Sequence, residues 1–325
     1  MVAGAPAPST NSDPRAHNRW RQLGYRVLPG DLFSYILHLR PAEWPIMAAH
    51  TALGYVLAVG IAGVAWGDQW RAALWGMVLW VVGLNGGTLA LNSVFDQDEG
   101  DIGYLMAPPK PPGRLLEFSV VLLVAGLMGS LSLPRGFRVA YGICLVLSIL
   151  YSVPPFRFKA VAGVDWVINM WGFGTLTPYA GFAATGRSLD LVSALVLLAF
   201  CPLFAALYPL TQLYQFDEDR RRGDRTLALI LGMKRSLDVA LIACGAAFAL
   251  LGAAWMLRRP VWPAPWHQAI GGAALVVAFA AWLRVLVPWL RRHEHMSPDE
   301  HQRGMYRGLI AWAVTDLAVV AAFAW

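Results

Sequence analysis

Charge is scarce in this chain. Of its 325 residues 14% are charged and 57% hydrophobic, with a mean hydropathy of +0.50, which excludes an ordinary soluble globular protein. Cysteine is nearly absent. Cys144, Cys201 and Cys244 fall in three different apolar stretches without metal-ligand spacing, so a disulfide framework or zinc site is excluded and they read as small core residues. The strict alternation of barrel strands is also missing, which leaves helices as the structures able to satisfy their own backbone in lipid. No soluble basic domain exists either: the arginines lie in short segments between apolar runs, so the net charge of +6 reads as membrane topology, not nucleic-acid binding. Residues 1–30 are polar, rich in Pro, Ser and Arg, and without the apolar core of a signal peptide. They read as a disordered cytoplasmic tail preceding one transmembrane domain over 31–325.

What the chain has in quantity is apolar length. A helix needs roughly 20 apolar residues to cross a bilayer, and nine windows approach or meet that: Trp44–Gly67, Ala72–Phe95, Phe118–Pro134, Val139–Phe156, Trp166–Gly186, Leu191–Phe216, Val239–Leu257, Val261–Leu283 and Gly308–Trp325. The fold expected is all-α, nine transmembrane helices around a central cavity. Basic residues orient it. The N-terminal segment and the loops after the even-numbered spans hold 20 of the 26 Lys and Arg, against 6 in the opposite loops. The positive-inside rule places the richer side in the cytoplasm and the C-terminus outside.

Two acidic clusters interrupt this apolar background, both on the expected cytoplasmic side. "NSVFDQDEGD" after the second span contributes Asp96, Asp98, Glu99 and Asp101; "QFDEDRRRGDRTLA" after the sixth contributes Asp217, Glu218, Asp219 and Asp224. On a helix Asn92 and Asp96 lie one turn apart on one face, as do Gln215 and Asp219. An acidic loop ordinarily just faces water. Here the acids sit at membrane edges, where a carboxylate that dips inward needs a partner or a function, and the second cluster is interleaved with Arg220, Arg221, Arg222 and Arg225. Oxygen ligands of this kind suit Mg²⁺, which binds through one or two carboxylates plus substrate phosphates. Two such groups facing one another, with cations alongside, would hold a diphosphate and stabilise its departure, so that an allylic C–O bond can ionise.

These residues resemble the UbiA superfamily of intramembrane prenyltransferases, whose nine helices carry two Asp-rich motifs after helices 2 and 6. Asn92, Ser93 and Asp96 match the opening of the first motif; Gly100 stands where its third acid is expected, with Asp98, Glu99 and Asp101 as neighbours. "DRRRGDRTLA" matches the tail of the second motif and places Asp219 at its second acid, with Gln215 at the first and Asp217 close by. "LRPAEW" (Leu39–Trp44) and "YSVPPFRFK" (Tyr151–Lys159) resemble the start of the first helix and the loop after the fourth. The resemblance implies Mg²⁺ as cofactor, with Asp96, Glu99, Asp101, Gln215, Asp217 and Asp219 as metal ligands and Asn92, Asp96 and Asp219 as the central catalytic set. It implies Arg157, Lys159, Arg225 and Lys110 on the diphosphate. The substrates implied are a prenyl diphosphate and a lipophilic or aromatic acceptor reached from the membrane lipid: an aromatic acid, a quinone precursor, a tetrapyrrole or another lipid.

Other features admit two readings. Arg220 to Arg222 serve topology or reach the phosphates. Asp165 and Asn169, four residues apart, either cap a helix and bond across helices or line the acceptor pocket. His50 and His267 read as packing or interfacial residues. A terpene cyclase of the same superfamily, ionising the same substrate without an acceptor, is the alternative enzyme. A transporter would need its key acids near the midplane, whereas these cluster at one interface.

Overall fold

In a computed structural model of the protein, residues 18–66, 69–96, 105–214, 216, 220, 226–258 and 265–325 are described. Their regular structure is helical. Two short helices come first, α1 (Arg19–Val27) and α2 (Leu32–His38). Then follow α3 (Trp44–Trp66), α4 (Trp70–Asp96), α5 (Leu115–Ser130), α6 (Arg135–Ser152), α7 (164–183), α8 (Leu191–Leu213), the short α9 (Leu227–Leu231), α10 (Met233–Leu257), α11 (Pro265–Arg292) and α12 (Pro298–Phe323).

Among the described residues, then, nine helical runs coincide with the nine apolar windows. Seven are long and apolar enough to cross a membrane by length and composition. The other two are the 16-residue α5 and α7, in which π-helix interrupts the α-helix at Met170–Leu176. Charged turns carry the last three helices past their windows: Lys234 and Arg235 lie ahead of the window in α10, Arg291 and Arg292 beyond it in α11, which starts four residues inside its window, and Asp299, Glu300 and Arg303 ahead of it in α12. The chain is a multi-pass integral membrane protein.

One sequence expectation changes. The tail through residue 30 is not irregular over its described part: α1 is N-capped by Asn18, whose Oδ1 accepts the Arg21 amide at 2.9 Å. Arg21 is buried, and Phe33 packs on the backbone at Gly24. Polar composition hid a helix held by tertiary contacts.

In lipid no hydrophobic force draws helices together, so close packing and interhelical hydrogen bonds must do it. The α3–α7 crossing shows the first. A Cβ on Gly54 would run into the Pro178 carbonyl, and one on Gly181 into the Thr51 carbonyl, so only glycine permits this approach. Buried indoles show the second: Trp80 Nε1 donates to Thr177 Oγ1 at 3.2 Å and Trp282 Nε1 to Thr315 Oγ1 at 3.0 Å. Each such bond contributes about 0.5–2 kcal/mol.

Proline sets two further contacts. Pro209 inside α8 has no N–H for the Ala205 carbonyl, and Trp166 Nε1 from α7 donates to that oxygen at 3.2 Å. Pro178 likewise denies Gly174 its usual donor, and the His50 ring takes that place through Nε2 at 3.2 Å. α3 itself breaks at Gly60 (φ 74°, ψ 165°), and the next amide, of Ile61, bonds the Ala324 carbonyl at 2.7 Å.

Both π-helical stretches, Leu79–Gly86 of α4 and Met170–Leu176 of α7, lie where those helices wall a central cavity. The wide turns rotate Trp80, Leu84, Asn85, Gly172 and Phe173 onto its wall. Such bulges recur at functional sites.

Candidate active site

The cavity, of about 370 Å³, is enclosed by α3, α4, α6, α7 and α8. Its wall divides by chemistry. Met47, Trp80, Leu84, Leu147, Phe173 and Phe204 make an apolar part, with Phe173 and Phe204 stacked at 5.5 Å between centroids. Arg40, Glu43, Asn92, Tyr151, Asn169, Tyr208 and Thr211 make a polar part.

Asn92 lies on that wall, and Asp96 is one helical turn farther along α4, at its end. The Ser152 hydroxyl at the end of α6 donates to Asn92 Oδ1 and fixes the amide. Asp96 meets two cations from the segment after α6. Lys159 Nζ forms an ion pair with its Oδ1, and Arg157 approaches the same oxygen at 3.8 Å. The Asp96 and Lys159 side chains are 18% and 14% exposed, so water screens their charges weakly; Arg157, at 46%, reaches toward solvent. Arg40, one turn ahead of α3, pairs with Glu43 at 3.5 Å.

Backbone strain marks the same region. The non-glycine residues with positive φ among those described are Arg40 (49°), Ala107 (43°) and Arg157 (37°). An L-residue pays roughly 1–2 kcal/mol in this conformation, and such strain gathers at functional sites whose surroundings over-determine it.

Deeper in the polar wall a buried carboxylate stands behind a phenol. Tyr208 Oη donates to Asp165 Oδ2 at 2.9 Å, while Asp165 Oδ1 accepts the Gly163 amide at 2.9 Å. Asn169 Nδ2 donates to the Asp165 carbonyl at 2.8 Å. Asp165 thus bonds the backbone at the start of α7 and reaches across to α8, while Asn169 lines the cavity.

Of the residues singled out in the sequence, the structure brings together Asn92, Asp96, Arg157 and Lys159. Lys110 is exposed on the loop before α5; the cations that reach Asp96 among the described residues are Arg157 and Lys159. Arg220 lies over the Phe216 ring at 5.1 Å. Asp98, Glu99, Asp101, Gln215, Asp217, Glu218, Asp219, Arg221, Arg222, Asp224 and Arg225 lie outside the described residues. Accordingly, no group of three His, Cys, Asp or Glu side chains that would hold a metal is found among the described ones. The described donors still suit Mg²⁺. Asp96 offers carboxylate oxygens on a shielded helix end, and Mg²⁺ binds through one or two carboxylates while substrate phosphates complete its shell. Arg157 and Lys159 beside it match those phosphates.

Sequence reasoning missed Arg40, Glu43, Tyr151, Tyr208 and Thr211 as cavity wall. The signal for the last two was present: Tyr208, Thr211 and Gln215 are polar positions recurring at helical spacing in an otherwise apolar span.

Comparison with known proteins agrees with this geometry. The digeranylgeranylglyceryl phosphate synthase of Natronomonas pharaonis is 29% identical over 209 residues, 62% of this chain and 70% of that one. The lycopene elongase/hydratase of Haloferax volcanii is 28% identical over 217 residues, 64% of this chain and 68% of that one. Among solved structures, a UbiA homologue from Archaeoglobus fulgidus bound to DMAPP and Mg²⁺ superposes with a TM-score of 0.61 at 17% identity, covering 88% of this chain and 99% of that one. A digeranylgeranylglyceryl phosphate synthase structure gives 0.67 at 16% identity, covering 90% and 98%. The UbiA prenyltransferase family model matches residues 46–299, and with that match across most of the helical bundle the chain belongs to the UbiA prenyltransferase family, as an intramembrane prenyltransferase.

Proposed function

We propose that this prenyltransferase acts with Mg²⁺, ionising a prenyl diphosphate at the cytoplasmic mouth of the cavity and joining the prenyl cation to a lipophilic acceptor that enters from the bilayer. The observation that carries this reading is the Asp96–Lys159–Arg157 cluster one turn beyond Asn92 on the wall of a half-apolar cavity. The reading is also supported by the relatives named digeranylgeranylglyceryl phosphate synthase and lycopene elongase/hydratase, and by the solved UbiA homologue bound to DMAPP and Mg²⁺.

Bound Mg²⁺ would supply Lewis-acid stabilisation of the leaving diphosphate, held by Asp96 and, from the segments outside the described residues, by Glu99, Asp101, Gln215, Asp217 and Asp219. Lys159, Arg157 and Arg225 bind the phosphate oxygens and neutralise the charge that grows as the C1–O bond breaks and diphosphate leaves with the electron pair. The prenyl chain lies along Met47, Trp80, Leu84 and the Phe173–Phe204 stack. Their π faces attract the allylic cation, and the apolar wall keeps water from capturing it. Tyr151, Asn169 and Tyr208 orient the acceptor. Where its nucleophile is a hydroxyl, the proton passes to the Tyr208 oxygen as Tyr208 gives its own to Asp165. This polar set is what favours transfer over cyclisation, since a cyclase has no external nucleophile to hold.

The test is to incubate purified protein with Mg²⁺ and a panel of prenyl diphosphates, with and without lipid and aromatic acceptors, and to identify the organic products by mass spectrometry. Prenylated acceptor is expected, with consumption rising when the right acceptor is added. Cyclic product unchanged by any acceptor would assign the chain to cyclisation instead. For the topology, a cysteine placed at Asp224 is expected to react with an impermeant reagent only from the cytoplasmic side.

A further inference from the structure

α1 presents two unlike faces. Inward it is fixed: Arg21 donates to the carbonyl oxygens of Met106 and, at 2.7 Å, Ala107. Tyr25 Oη and Ser34 Oγ are 2.9 Å apart, and Phe33 fills the space over Gly24. Outward it shows Trp20, Leu23 and Val27, 60%, 62% and 68% exposed. Spacings of three and four put them on one stripe. Arg19 and Arg26 are exposed beside it on the helical wheel. From Pro14 to Gly30 the chain has Arg15, Arg19, Arg21 and Arg26 and no acid.

Three large apolar side chains in a row do not stay in water unaided, since each buried apolar Å² is worth roughly 25 cal/mol. The position of α1 says what covers them. It leads through α2 straight into the membrane helix α3, and α2 packs on the end of α4. In the first turns of the membrane helices α3 and α5, Ile46, Leu116 and Val120 are exposed too. An amphipathic helix with Trp and Leu on one face and arginine beside them is the form that lies in a headgroup layer, and the arginines select an anionic one.

We propose that α1 is an interfacial helix, seating Trp20, Leu23 and Val27 in the anionic cytoplasmic leaflet and, through Arg21, holding the 105–110 segment that follows the first acidic motif. The clamp has a visible consequence: its acceptor Ala107 is kept at φ 43°, a conformation alanine adopts only when its surroundings insist. Lipid composition is thereby coupled to the order of residues 105–110.

The experiment reads structure, not turnover, so its failure is separate from failure of the transferase reading. Wild-type protein in nanodiscs of phosphatidylcholine, alone or mixed with phosphatidylglycerol, is followed by hydrogen exchange. Residues 19–28 and 105–110 are expected to exchange several-fold more slowly with the anionic lipid, and the Arg19→Ala/Arg26→Ala variant to lose that difference. Equal exchange in both lipids overturns the proposal. Nitroxides at Leu23→Cys, Val27→Cys and Gln22→Cys, in a background with Cys144, Cys201 and Cys244 replaced by alanine, give the depth. Oxygen should dominate collisions at 23 and 27 and a water-soluble nickel chelate at 22. Equal nickel access at all three positions, or shielding at 23 and 27 that grows with protein concentration and marks a second copy, overturns it as well.

Discussion

Asp96 and Asp316 are carboxylates of nearly equal shielding, 18% and 20% exposed, with opposite surroundings. Asp96 ends a helix at the cavity mouth and faces two fixed cations, Lys159 and Arg157. Asp316 lies within α12 and faces His50 Nδ1 at 3.6 Å. That imidazole is committed through Nε2 to the Gly174 carbonyl, and its ring is walled by Phe200 and Trp312 at 4.8 and 5.1 Å. The first pair carries more cation than its carboxylate balances and opens toward solvent, which suits an arriving diphosphate. In the second, the His50 ring is held by aromatic rings and the Gly174 carbonyl, and the pair joins α3, α7 and α12. Placement relative to the cavity and the cations around it, not burial, distinguishes the acid proposed to act from the one proposed to hold helices together.

The comparison breaks most directly at its charged end. Lys159→Ala and Asp96→Asn are expected to lower turnover by about 10³-fold, the scale for removing a group that stabilises transition-state charge, with an unchanged melting profile in detergent. Asp219→Asn should do the same. Wild-type rates in any of them would remove that residue from the site.

Next in size is Tyr208→Phe, with Asp165→Asn as its partner. Loss of a proton relay costs about 10²-fold in acceptor prenylation, while diphosphate release should fall less. The ratio of prenyl alcohol to prenylated acceptor then rises, which chromatography of the extract reads. A ratio unmoved in both variants would reduce the pair to a cap for α7.

At the structural end, Asp316→Asn and His50→Ala are expected to keep kcat within a few-fold and to lower stability by about 2 kcal/mol, through the bond lost to Gly174 and the buried group left without its partner. Thermal unfolding in detergent measures this. If Asp316→Asn abolished turnover at unchanged Tm, the two carboxylates would not differ as described.

The smallest effect is a pH dependence in α2. Burial, and then the nearby Arg40 charge, push His38 from 6.5 down to about 4. The unfolded chain takes up this proton below pH 6.5 and the folded chain only near 4. Stability from His38 is therefore complete above 6.5 and is lost as pH falls through that window, by about 1 kcal/mol at pH 6. His38→Gln should flatten the curve there.

Local pattern made much of this legible. Apolar windows located all nine helical runs, because a span must be apolar over its whole length and needs no partner to reveal itself. Asp96 stood out because a carboxylate at a membrane edge is costly and therefore conspicuous, whereas Asn92, Arg157 and Lys159 stood out through the motifs they share with a known family. Tyr208 and Arg40 were quieter. A phenol or arginine near a span end has an ordinary interfacial reading, and only packing shows which way it turns.

The sequence by itself determined the class of structure and the donor chemistry: helices long enough to cross lipid, an amide and a carboxylate one turn apart in each acidic cluster, and cations in the segments beside them. Tertiary structure decided which of these meet. The π-helical turns of α4 and α7 bring Trp80 and Phe173 to the cavity wall, and Arg21 reaches 86 residues along the chain to hold Ala107. His50 takes up a carbonyl that Pro178 cannot serve, and Trp166 one that Pro209 cannot. The reason is the bilayer itself. Lipid offers no hydrogen bond to a displaced carbonyl, so the carbonyls freed at Pro178 and Pro209 take partners from other helices, and which ones they take is settled only when the bundle closes.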